Sequence, residues 1–246
     1  MIFPIVLKTP AYVEPVAAIH FLVAANGVFQ VTETPGYRAV TRVADDIPGL
    51  VPEYEHLRLR VPPLARAQVE DVVAFFAEAY RRYRAEAVVL LFFSFPTREF
   101  RVVPPPQVLT GRIRGGRWEA DHAVDYGEVP CPEGFVRFGT IHSHAELPAY
   151  ASHVDCDDER YGDGLHIVFG SFHQADLTVT ASFVASGVRF VLDATEVLEP
   201  YDRPAHGARP EWMARLALVA ARDGKHGKRE EAYPYADTKP SRLPSA

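Results

Sequence analysis

The run from Ala87 to Phe95 reads Ala-Val-Val-Leu-Leu-Phe-Phe-Ser-Phe. It is too short to span a bilayer, which takes about 18 or more apolar residues. It also lacks the polar–apolar alternation of a strand with one wet face. A strand covered on both faces is what such a run fits. Layers must therefore pack on either side of it. One is supplied directly upstream: Leu64 to Tyr83 places Val69, Val72, Val73, Phe76, Tyr80 and Tyr83 at spacings of three and four, the stripe of an amphipathic helix. Strands mixed with one long helix predict a layered α/β (α+β) fold. With 48% apolar residues among 246, the chain can bury a sizeable core.

The remaining strand signals fall on both sides of this helix. Residues 1–61 form a β-rich N-terminal domain or extension. Runs appear at Ile2 to Leu7, at Ala17 to Thr32 with a hairpin signal at Asn26-Gly27, at Tyr37 to Val43, and at His56 to Val61. This unit either recognises a partner or extends the sheet. Pro62-Pro63 ends it. Residues 62–200 form the main domain, with further strands at Phe100 to Val103, Gln107 to Ile113, Arg117 to Ala123, Leu165 to Gly170, Leu177 to Ala185 and Val188 to Leu192. Gly115-Gly116 reads as either a hairpin turn or a flexible flap, and Ser186-Gly187 joins the last two strands. In residues 201–246, Trp212 to Arg222 predicts a short helix. From Asp223 onward Gly, Lys, Glu, Pro and Ser predict a disordered tail.

The chemistry concentrates between Phe138 and Glu159. Here His142, His144, Ser152 and Asp155 give the spacing His-x-His-x7-Ser-x2-Asp. By chance this pattern arises on the order of once in a thousand such chains. Val136 to Ile141 is strand-like, so the two histidines share one face and can converge on one ion. Asp155 follows a loop containing Pro148 and can return as third ligand. Two imidazoles and a carboxylate leave an open position, the mark of a catalytic zinc site. Zinc would lower the pKa of a water held there to about 7. The competing reading is two strand histidines and a helix-capping Ser152 before an acidic turn.

At His142-Ser143-His144, Ser152 and Asp155 the chain resembles the JAMM motif of the JAB/MPN zinc metallopeptidases. The resemblance covers roughly Val69 to Leu192. It implies a mixed curved β-sheet flanked by helices, the cytidine deaminase-like JAB/MPN layer. It implies one Zn2+ per chain on His142, His144 and Asp155, with Ser152 bonding the tetrahedral intermediate. It also implies an upstream glutamate as general base. Glu86, directly before the apolar run, matches that position; Glu99, Glu119 and Glu128 precede no such run. The implied activity is hydrolysis of the bond after the C-terminus of a ubiquitin-like protein. Pro usually follows the second histidine in that family, whereas here Ala145 does. The N-terminal extension and the Asp-Glu/Gly-Leu-His-Ile stretch further resemble the bacterial PRTRC system protein A subgroup. That likeness implies E1- and E2-like partners from the same operon.

Other features bound the function. A net charge of −6 gives no electrostatic case for nucleic acid. No apolar run of 18 residues and no basic leader are present, so neither a membrane span nor a signal peptide is expected. Two cysteines, Cys131 and Cys156, form no disulfide framework, which fits a reducing cytoplasm. Arg81, Arg82 and Arg84 read as helix-end cations. Arg112, Arg114 and Arg117 read as a solvated turn that could also meet a substrate tail. His166 and His173 lack partner spacing and read as structural. Two alternatives remain: a non-catalytic MPN-like binding module, and a JAB hydrolase acting on sulfur-carrier proteins or small amides.

Overall fold

The computed structural model describes residues 3–44, 51–152, 155, 159 and 162–220. The fold is mixed α/β, dominated by mixed sheets with few helices. The expected buried strand is β6 (Val88–Ser94), every residue of which is buried. Its side chains divide by parity. Val89, Leu91 and Phe93 face one core with helix α1 (Arg66–Tyr83), while Val88, Leu90 and Phe92 face a second. That is the two-sided coverage a strand without alternation requires. On α1 the predicted stripe is buried at Val69, Val72, Val73, Phe76 and Tyr80. Arg81 and Arg82 pair with Glu78 on the helix surface.

β6 lies inside a six-stranded sheet. Its other members are β7 (Glu99–Val103), β10 (Val136–Ser143), β11 (Gly164–Gly170), β12 (Thr178–Ala185) and β13 (Val188–Leu192), in the order β13-β12-β11-β10-β6-β7. β10 and β11 are parallel; the other pairs are antiparallel. A parallel pair needs a long crossover, and residues 144–163 supply it. That crossover carries Ser152 and Asp155 back over the end of β10. The contact of β10 with β11 is unusually close at Gly139: a Cβ there would lie 1.8 Å from the Leu165 carbonyl oxygen.

The second core lies under a three-stranded sheet of β8 (Gln107–Arg114), β9 (Arg117–Tyr126) and β14 (Leu216–Ala220). Gly115 and Gly116 turn β8 into β9 with φ of 58° and 78°, the pair of positive values that a type I′ turn needs. The Gln107 side chain imitates a strand neighbour: its amide bonds both Val88 N at 2.9 Å and Val88 O at 3.0 Å.

The sequence expectation of a helix from Trp212 to Arg222 is corrected. Only α3 (Pro210–Met213) is helical; Leu216 to Ala220 forms β14, parallel to β8. The open edge of β8 supplies backbone partners that local propensity does not register. Another short helix, α2 (Ala194–Val197), follows β13. The tail expected to be disordered from Asp223 onward lies outside the described residues, as do the last two residues of the expected helix and Cys156.

The N-terminal residues form a separate five-stranded sheet, β1 (Ile5–Leu7), β2 (Ile19–Ala24), β3 (Gly27–Glu33), β4 (Tyr37–Ala44) and β5 (His56–Leu59), paired in chain order. The turn after β2 falls on Ala25–Asn26, one residue earlier than Asn26-Gly27 suggested, because Gly27 already pairs with Ala24. One side of this sheet has its own small core around Leu22, Phe29 and Val31. Tyr37 and Ala39 join the main core instead, and the Tyr37 hydroxyl donates to Asp163. Between the two offered roles, this sheet does not extend the six-stranded one by strand pairing among the described residues.

Candidate metal centre

His142 is the penultimate residue of β10. His144 lies just past the strand, but its N–H still donates to the Phe169 carbonyl at the end of β11, at 2.8 Å. The predicted same-face spacing therefore holds. The two rings lie 5.1 Å apart, and Tyr150 packs edge-on against His144 at 4.7 Å. Past His144 the chain turns sharply. Leu147 N–H reaches the His144 carbonyl at 2.8 Å, with Ala145 buried in the left-handed region at φ 47°. Proline, fixed near φ of about −65°, cannot adopt that conformation.

Ser152 and Asp155 bond reciprocally. The Ser152 hydroxyl accepts from Asp155 N–H at 3.1 Å, and the Asp155 carboxylate accepts from Ser152 N–H at 2.8 Å. Asp155 has helical backbone, so this is a capping box with Asp at the third position. The helix-capping role of Ser152 is thus present. The box also orients Asp155, whose carboxylate turns toward the histidines.

Three ligand side chains meet. His142 Nε2 lies 3.2 Å from His144 Nε2 and 3.5 Å from Asp155 Oδ1; His144 Nε2 lies 3.6 Å from Asp155 Oδ2. Ligands bound at about 2.05 Å in tetrahedral geometry stand about 3.3–3.4 Å apart. Each of the three separations is close to that spacing, the two to Asp155 running to different carboxylate oxygens. Those two nitrogen–oxygen separations exceed the 2.7–3.2 Å typical of a well-formed N–H···O bond. His142, His144 and Asp155 are accordingly a group that can hold a metal ion. The side chains are mostly shielded, at 15%, 6% and 20% exposure. Burial pushes the Asp155 carboxyl up, but the two imidazoles and Ser152 outweigh it and hold the carboxyl well below its usual range. Burial pushes His144 down, and Asp155 and Glu86 more than reverse this.

These residues line a cavity of about 670 Å³ with Glu86, Tyr126, Arg137, Thr140, Glu159 and His166. Glu86 therefore lines the same cavity as the histidines, and its charge acts on His144. Ser143 places it there: Ser143 N–H donates to the Ala87 carbonyl at 2.9 Å, and its hydroxyl accepts from Ala87 N–H at 3.0 Å. Sequence reading passed over Ser143, although a buried hydroxyl between two ligands is bound to need a backbone partner. Glu99, Glu119, Glu128, His173, Arg112, Arg114 and Arg117 do not line this cavity.

Reading the sequence also missed Glu159. It lies four residues after Asp155 in the chain, and its own backbone is helical. Its Oε1 lies 3.2 Å from His166 Nδ1, and its Oε2 bonds Arg189. His166, read from the sequence as structural, is buried and lines the cavity. It pairs across the strands with Thr140, whose Oγ lies 2.9 Å from its Nδ1. Burial first, then the Arg189 and His142 charges, push His166 down to about 3, so it is neutral at physiological pH.

Among the described residues, no helix is long and apolar enough to cross a membrane. No protein-family model matches this chain, and no curated protein matches it. Among solved structures it is similar to the solution structure of protein DSY2949 from Desulfitobacterium hafniense. The identity is 14% over 69% of this chain and 100% of that one, with a TM-score of 0.33. A likeness that faint leaves function to be read from the chain's own residues.

Proposed function

We propose that this chain is a zinc-dependent isopeptidase or peptidase of the JAMM type, with the six-stranded sheet and its flanking layers as a JAB/MPN layer. Its substrate is the bond after the C-terminus of a ubiquitin-like protein, in a conjugate or a precursor, within a bacterial cytoplasmic pathway. E1- and E2-like proteins of the same operon are the expected partners. The observation that carries this reading is the convergence of His142, His144 and Asp155 at ligand-to-ligand spacing, with Glu86 lining the same cavity.

His142, His144 and Asp155 would hold the zinc. When bound, the ion supplies Lewis acidity and makes water a nucleophile near neutral pH. Glu86 takes a proton from the attacking water and returns it to the leaving amine. Ser152 accepts from Asp155 N–H and keeps its own hydroxyl proton to donate to the developing oxyanion. Removing one such donor costs about 2.7–4 kcal/mol in barrier.

The test combines metal analysis with cleavage of fusions to a ubiquitin-like protein from the same operon. About one zinc per chain is expected, with activity lost in Glu86→Gln while zinc is retained. Equal turnover by wild type and Glu86→Gln refutes the base. A folded wild type that takes up no zinc refutes the metal centre.

A further inference from the structure

We propose that Glu159 and Arg189 are positioning residues. Their ion pair, braced by His166 and Thr140, anchors the turn that sets Asp155 over the two histidines. The inference rests on the metal-centre reading.

Asp155 arrives on the crossover between β10 and β11. The Ser152–Asp155 box orients it only locally, because both partners ride on the same segment. Something must fix that segment to the sheet. Upstream, Ala149 N–H donates to Thr178 Oγ on β12 at 2.7 Å; past Asp155, Glu159, four residues on in the chain, reaches the sheet by its side chain. One carboxylate oxygen bonds Arg189 on β13, and the other meets His166 on β11. Arg189 is braced in turn by Ser182 on β12, and His166 by Thr140 on β10, two residues before His142. The chain of contacts leaves the crossover, spans β13, β12, β11 and β10, and ends beside the first histidine. Asp155 and Glu159, four residues apart in the chain, thus both contact the face of the sheet that carries the histidines.

The pair is shielded, with Glu159 at 10% and Arg189 at 21% side-chain exposure. A solvent-exposed pair would hold nothing. Here removal of either partner leaves a largely buried charge, which the segment relieves by lifting from the sheet. Asp155 moves with it. Zinc capture therefore weakens although no ligand has changed.

The test measures zinc affinity by chelator competition on the folded full-length chain. Glu159→Gln and Arg189→Ala are each expected to weaken affinity about 10–100-fold, as for other groups that orient a ligand. Arg189→Lys, which keeps the charge but not the forked reach, covers the case in which the alanine variant fails to fold; its expected loss is smaller but measurable. The deciding measurement is Glu159→Gln in an Asp155→Asn background. If Glu159 acts through Asp155, its effect shrinks to about twofold or less there. A full, additive loss in that background overturns the anchor. So does an unchanged affinity in the single variants. A wild type without zinc sinks the metal centre instead, so the two failures are told apart.

Discussion

Ala145→Pro places the residue usual in JAMM enzymes at the position where this chain departs from them. The structure predicts that it fails. Ala145 has φ 47° and is fully buried. Proline needs φ near about −65° and also drives the preceding residue, His144, into extended conformations. Three backbone bonds depend on this turn: His144 N–H to Phe169, Leu147 N–H to His144 and Phe172 N–H to Ala145, at 2.8, 2.8 and 3.0 Å. At about 1 kcal/mol each they account for about 3 kcal/mol. Forcing a ring into a filled site adds about 1–3 kcal/mol. The sum is about 4–6 kcal/mol, which for a chain this size lowers Tm by about 10–20 °C. Zinc affinity should fall with it, because His144 sits on the displaced turn. Calorimetry with chelator competition reads both. A variant that melts within about 2 °C of wild type and binds zinc equally well would show that the left-handed turn does not hold the second histidine.

Two further outcomes follow from the sheet. Gly139→Ala pushes a methyl to 1.8 Å from the Leu165 carbonyl. It should cost at least about 3 kcal/mol in urea unfolding, since backbone rather than a pliable side chain must yield; a cost under about 1 kcal/mol contradicts the close strand contact. For His166 the folded pKa of about 3 lies below the unfolded value of about 6.5, so the unfolded chain binds more protons between them. Its contribution to stability is complete above pH of about 6.5 and is lost as pH falls toward 3. Between pH 7 and 5, wild type should lose about 2 kcal/mol more than His166→Gln. Equal losses would mean that His166 is not held neutral.

Much of this fold was legible because local sterics and side-chain period write it. Val69 to Tyr80 could only be a helical stripe, and Val88 to Phe93 could only be a strand with two buried faces. Gly115-Gly116 announced its turn through the positive φ that both residues adopt. The group that can hold a metal ion was legible too, since His142 and His144 needed only a strand's period to share a face. Asp155 needed only a loop long enough to return. Trp212 to Ala220 was not legible. Its apolar residues suit either period, and the choice fell to the open edge of β8, more than a hundred positions away in the chain.

The sequence by itself determined which atoms the site can use and which elements carry them, because residue type and short-range spacing settle donor chemistry and local backbone. The tertiary structure alone decided that Ser143 ties Ala87, the neighbour of Glu86, to the strand of the histidines, and that Glu159 grips Arg189 and His166. Each of these joins residues on separate strands or segments. Such contacts form only when layers pack, where buried polar groups must find partners from whichever strand comes within reach.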